Sequence, residues 1–108
     1  MPTQSTILNN IPTRIQRIIS VNLRRVALFN AEVYRMRDLE SRLGQPGRYE
    51  YEYRLTNEDA ARESVAELAM MRELPAGRLV DWAAAYAALG HTDEVVLEPR
   101  SAAAESWK

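Results

Sequence analysis

The sequence contains no cysteine, and that removes disulfides, thiolate metal sites and a cysteine nucleophile at once. Histidine is nearly as scarce. His91 stands alone in Gly90-His91-Thr92-Asp93-Glu94, without the second His or the Glu-x-x-His pair that a metal ligand set needs. A histidine in the turn after a helix is expected to serve the last helical carbonyls instead. The four glycines form no phosphate-cradling loop: Gly44 and Gly47 belong to a turn, Gly77 to a break and Gly90 to a helix stop. None of the motifs G-x-G-x-x-G, G-x-x-x-x-G-K-[ST] or G-x-S-x-G occurs. Asp59, Glu63 and Glu67 recur every four residues, but oxygen-ligand cation sites draw on loops as well. The row therefore reads as a solvated face or as a counterpart to basic residues elsewhere in the chain. This inventory predicts no catalytic residue, no cofactor and no metal site, and hence no enzyme.

Apolar runs are short, with nothing near the roughly 20 residues of a membrane span. The opening MPTQSTILNN lacks the charged and apolar regions of a secretory leader. A cytoplasmic protein without a transmembrane segment is expected. Lys108 is the sole lysine against thirteen arginines, a bias that a GC-rich genome explains as readily as bidentate anion contacts. Acidic residues are absent from positions 1–31, where four arginines fall, whereas positions 32–108 carry ten basic and fifteen acidic groups. The overall charge of -1 thus hides a basic start and an acidic remainder. With 46% hydrophobic and 27% charged residues in 108 positions, the composition is that of one folded domain.

What is present is organised around Pro12 to Leu43, a stretch free of glycine and, after Pro12, of proline. It predicts one helix of roughly 48 Å at about 1.5 Å per residue, with Asn10 as N-cap, Pro12 in the first turn and Gly44 as the stop. Ile15, Ile19, Asn22, Val26, Phe29, Val33, Met36, Glu40 and Leu43 recur at alternating steps of four and three, a heptad seam. Asn22 would set its register, and Glu40 interrupts it. Arg14, Arg17, Arg24, Arg25, Arg35 and Arg42 run along the opposite edge. The seam wants an apolar partner, which is either a second copy or the rest of this chain.

After the Pro46-Gly47 turn, Tyr49-Glu50-Tyr51-Glu52-Tyr53-Arg54-Leu55 alternates strictly. That period of two predicts a strand, with Tyr49, Tyr51, Tyr53 and Leu55 on one face and Glu50, Glu52 and Arg54 on the other. Its mate would be the EVVLE segment at 94–98 or the same strand of a second subunit. Two shorter helices are predicted next, from Thr56 to about Leu74 and from about Arg78 to Leu89, broken at Pro75-Ala76-Gly77. The fold class expected is α+β and mostly helical: a flexible arm at 1–9, the long helix at 12–43, a β-α-α-β unit at 49–98 and a mobile tail at 99–108. Within that tail Trp107 is the one candidate anchor. The order strand, helix, helix over residues 49–90 resembles a ribbon-helix-helix module, which implies a dimer whose strands enter the DNA major groove. The groove-facing residues would then be Glu50, Glu52 and Arg54, and two carboxylates facing a polyanion argue against DNA there.

The leading functional expectation is a non-enzymatic interaction protein, a homo-oligomeric adaptor, assembly factor or small inhibitor. Its interface would comprise Ile15, Ile19, Asn22, Val26, Phe29, Val33, Met36, Tyr49, Tyr51 and Tyr53. Aspartates at Val26 and Phe29 would then abolish association. The alternative is a nucleic-acid-binding accessory or regulatory protein using Arg14, Arg17, Arg24 and Arg25 as anion-binding residues, with steeply salt-dependent affinity. A third reading lays the basic amphipathic residues 11–29 on an anionic membrane surface.

Overall fold

A computed structural model describes residues 12–73 and 95–108 of the chain. The expected arm at 1–9, the Asn10 cap, the break at 75–77, the helix at 78–89 and His91 lie outside the described residues. Helix α1 runs Thr13–Leu43. Its start is an uncapped Pro12, whose carbonyl accepts the Gln16 N–H at 3.0 Å. At its end Gly44 turns left-handed, with φ 65°. There the Gln45 N–H reaches the Glu40 carbonyl at 2.9 Å and the Gly44 N–H reaches that of Ser41 at 3.4 Å. This pair of bonds satisfies carbonyls that a helix terminus otherwise leaves open.

The central strand is absent. Helix α2 spans Arg48–Glu73 without a break, so the alternating tyrosines lie inside it, and the described residues contain no strand or sheet. The fold class is corrected accordingly from α+β to helical. The physical reason lies in a second pattern on the same residues: Glu50, Arg54, Glu58 and Arg62 repeat every four positions with alternating sign, so each meets the next on one helical face. A helix also satisfies its backbone internally, whereas a lone strand would need a mate. Thr56 does not cap a new helix; its hydroxyl donates to the Tyr53 carbonyl within α2. Without the strand, the likeness to a ribbon-helix-helix module has no basis.

α1 and α2 form an antiparallel hairpin. Ile19 and Leu23 pack on Leu68 and Met71, with Ile15, Ile18 and Val95 around them. Nearer the turn, Phe29 and Val33 pack on Ala61, flanked by Tyr53 and Leu97. The seam of α1 is thus closed within the chain: Ile19, Asn22, Val26, Phe29 and Val33 are buried. Aspartates at Val26 and Phe29 would therefore open the core rather than report association. Glu40, which seemed to interrupt the seam, is buried for a different purpose. Its carboxylate accepts the Glu50 N–H at 3.3 Å in the first turn of α2, where helical N–H groups lack partners.

The C-terminal residues complete the structure. Residues 95–100 cross the hairpin without regular secondary structure and pair to no strand. Side chains hold their backbone instead: the Asn30 amide donates to the Val96 carbonyl at 3.1 Å and accepts the Glu98 N–H at 2.7 Å, and Arg54 and Arg37 donate to the Glu98 and Pro99 carbonyls. Ser101 then caps a single turn, α3 (Ala102–Glu105), by accepting the Ala104 N–H at 3.1 Å. Ala104 is buried, and the Trp107 indole N–H reaches the Pro46 carbonyl at 2.9 Å with Arg48 over its ring. Residues read as a mobile tail instead strap the two helices at the turn end of the hairpin.

Candidate interaction surface

Two sets of charged residues have opposite fates in the fold. The first is buried. Glu50, fully enclosed, accepts from Arg37 Nε at 2.6 Å, Arg54 Nε at 3.0 Å, and the Ser101 N–H and hydroxyl at 3.1 and 2.9 Å. Arg37 also donates to Glu98 at 3.0 Å and to the Pro99 carbonyl at 2.7 Å. Arg54, also buried, donates to the Glu98 carbonyl at 2.6 Å and lies over the Phe29 ring. Glu58 takes Arg100 at 2.8 Å and Arg62 at 2.6 Å. Three carboxylates, Glu50, Glu58 and Glu98, thereby offset the guanidiniums of Arg37, Arg54 and Arg100. The cluster ties α1, α2 and the strap together, and every one of these charges has a role in holding the chain.

Its titration follows from the geometry. Burial pushes the Glu50 carboxyl up, but the Arg37 guanidinium and the two Ser101 donors outweigh that and hold it at about 2. Burial likewise raises Glu58, and Arg100 and Arg62 lower it further than burial raises it. Glu98 is lowered by the Tyr34 hydroxyl and by Arg37. A carboxyl whose folded pKa lies below its unfolded value of 4.5 contributes stability that is complete above that value and lost as pH falls towards about 2. The helical signal at 222 nm is therefore expected to hold from neutral pH to about 5 and to collapse between about 4 and 2. Glu50→Gln should flatten the acid limb; an unchanged limb would remove Glu50 from its cause.

The second set remains exposed. Arg14, Arg17, Arg24 and Arg25 all project from α1 into solvent, and none makes an ion pair with a described residue. Val21, 43% exposed, stands between Arg17 and Arg24, and Leu28, 56% exposed, lies one turn beyond Arg24. Farther along, Arg35 is engaged by Glu32 and Arg42 by Asp38, so the unpaired stretch coincides with the acid-free part of the sequence. On the other helix Glu63 and Glu67 are also exposed and make no ion pair with a described residue. Between the helices lies an open groove of about 340 Å³, floored by Phe29, Tyr53 and Ala61. Arg25 and Leu28 form one lip, and Ala60, Glu63 and Glu67 form the other. No group of three or more His, Cys, Asp or Glu is arranged to hold a metal among the described residues, and no helix among them is long and apolar enough to cross a membrane.

The expected interface residues do not share a surface. Ile15 and Met36 are half-buried at the edge of the seam, and the other α1 members are core. Asn22 donates to the Ile18 carbonyl at 3.0 Å, while its Oδ1 is buried without a partner. Tyr49, Tyr51 and Tyr53 are each half-buried. Successive steps of two residues in a helix swing them by about 200°, so Tyr51 leaves on the side opposite the other two. Only Tyr53 joins the core, 5.5 Å from Phe29. Sequence reasoning missed Arg37, Glu50, Arg54, Glu98 and Ser101 as structural residues, although the four-residue charge repeat from Glu50 to Arg62 was there to be read. It also passed over Val21 and Leu28, which lie among the arginines rather than on the seam. Compared with known proteins, the chain matches no family model, no curated protein and no solved structure.

Proposed function

We propose that this chain is a non-enzymatic protein–protein interaction protein, a cytoplasmic adaptor or assembly factor that receives an acidic partner on the outward face of α1. One observation carries the reading: Arg14, Arg17, Arg24 and Arg25 are exposed and make no ion pair with a described residue, with Val21 and Leu28 exposed beside them. Charges already satisfied within a chain have little left to offer, whereas these four retain their full capacity for bidentate contacts. The interleaved apolar residues favour a protein over a nucleic acid, because an acidic amphipathic helix provides both the carboxylates and an apolar strip. Absence of cysteine fits a reducing compartment.

A second reading rests on the same arginines, whose local field has no acid in residues 1–31 to oppose it and would follow a phosphate backbone. The two readings separate in one titration. The full chain is mixed with a labelled helical peptide carrying a leucine stripe flanked by glutamates, and separately with duplex DNA, at low and physiological salt. The adaptor reading expects the peptide to bind and Arg17→Glu with Arg24→Glu to weaken it by at least about tenfold. DNA binding that exceeds peptide binding and falls steeply with salt would transfer the arginines to the second reading. Binding of neither probe would overturn both.

A further inference from the structure

We infer that the groove between α1 and α2 receives a second copy of this chain, pairing two hairpins face to face about a two-fold axis that runs along the helices. The inference goes beyond the adaptor reading: it assigns Arg25 and Leu28 to pairing and leaves the acidic partner Arg14, Arg17, Val21 and Arg24, none of which lines the groove; Arg17 and Arg24, seven residues apart, share one stripe of α1.

A two-fold interface requires each surface to match itself, so that whatever residue i offers, residue j of the same chain must accept. The groove meets this condition. Its α1 lip ends in a guanidinium, Arg25, and its α2 lip in two carboxylates, Glu63 and Glu67, all three without an ion pair among the described residues. They stand at one level along the hairpin, because Leu23 packs with Leu68 and Phe29 with Ala61, a register that sets Arg25 beside positions 63–67. Rotation about an axis parallel to the helices preserves that level while exchanging the sides. Arg25 of the second copy is thereby set over Glu63 and Glu67 of the first, and the reverse pair forms symmetrically.

The same rotation lays the exposed Leu28 of one copy towards Ala60 of the other, a small residue on the facing lip that leaves room for it. Beneath both lie the half-buried Tyr53 and the buried Phe29 and Ala61, with Asn57 and Ser64 beside them. The outcome is a four-helix bundle in which α1 of each copy packs antiparallel to α2 of the other, with an apolar centre and a charged rim. Size permits it. The described residues extend 49 × 23 × 19 Å, so the broad face of the hairpin exceeds the roughly 800 Å² that each partner of a stable pair contributes.

The test is charge exchange, read by solution mass on the full chain of 12.3 kDa. Wild-type protein is expected at twice that mass at about 100 µM, a concentration that populates a micromolar pair. Arg25→Glu alone sets carboxylate against carboxylate at both contacts, and Glu63→Arg with Glu67→Arg sets guanidinium against guanidinium; each should fall to the monomer mass with an unchanged helical spectrum. Mixed in equal amounts, the two variants restore opposite charges at both contacts and should recover the doubled mass. Leu28→Asp, which removes the central contact without touching the rim, should also be monomeric. A monomeric wild type, either charge variant retaining the wild-type mass, or a mixture that stays monomeric would overturn the inference. Since the peptide titration reads Arg17 and Arg24, pairing and partner binding fail independently.

Discussion

Replacing Glu50 by alanine is expected to cost about 3–5 kcal/mol of unfolding free energy, the loss that follows when one partner of a buried ion cluster is removed. The magnitude comes from what is left behind. Arg54 is 3% exposed, and without Glu50 its guanidinium retains Glu58 at 3.5 Å and the Glu98 carbonyl, while Arg37 loses its shortest contact. At roughly 4–8 °C per kcal/mol for a domain of this size, the melting temperature should fall by more than about 12 °C. Glu52→Ala is the matched control. Glu52 is exposed and meets Arg48 on the surface at 3.3 Å, so its loss should cost less than about 0.5 kcal/mol. An alternating strand puts Glu50 and Glu52 on the same face and predicts equal effects. Urea denaturation of the two variants therefore weighs the helix against the strand, and equal midpoints would contradict the helix.

Gly47→Ala should also destabilise the chain, by about 2 kcal/mol or more. Gly47 holds φ at 82°, and a methyl group in that left-handed region costs roughly 1–2 kcal/mol by itself. The added Cβ would in addition collide with the backbone of Ala103 and Ala104, so α3 must move away from the turn. Gly44 separates the two contributions. It has φ 65° but nothing within 4 Å of an added Cβ, so Gly44→Ala should show the conformational cost alone. The Trp107 indole N–H resonance reports the difference, because its bond to Pro46 depends on α3 staying in place. It should shift in Gly47→Ala and not in Gly44→Ala; a resonance unmoved in both would mean that the strap does not rest on Gly47.

How much of this was legible varies along the chain. α1 was readable because its signals agree: no helix breaker, a regular apolar spacing, and a glycine at the point where the left-handed turn occurs. The start of α2 was not. Its inner face begins with Glu50, Arg54 and Glu58, so the apolar stripe that marks a buried helical face is missing for two turns, and the alternation of tyrosine and glutamate supplied a false period. Those charges are tolerated inside only because Arg37, Arg100 and Ser101 come from distant parts of the chain to meet them. No window of α2 alone contains that information. The strap was hidden for a related reason, since PRSAAAESWK has few apolar residues and is held chiefly by polar contacts and a close approach at Gly47.

For function, this redistribution matters more than the change of fold class. The seam of α1 read as an interface, yet the hairpin uses it as core. What α1 has left is its outer side, where the arginines that the sequence did make visible are joined by Val21 and Leu28. The exposed face of the helix, and not its seam, is the surface available to partners.

That claim is tested most directly by adding a soluble paramagnetic relaxation agent to dilute, methyl-labelled protein. Strong broadening of the Val21 and Leu28 methyl signals is expected, with sharp, protected signals from Ile19, Val26 and Val33. Broadening of Ile19, Val26 and Val33 with the chain folded would mean that the seam lies open to solvent, and would contradict the account.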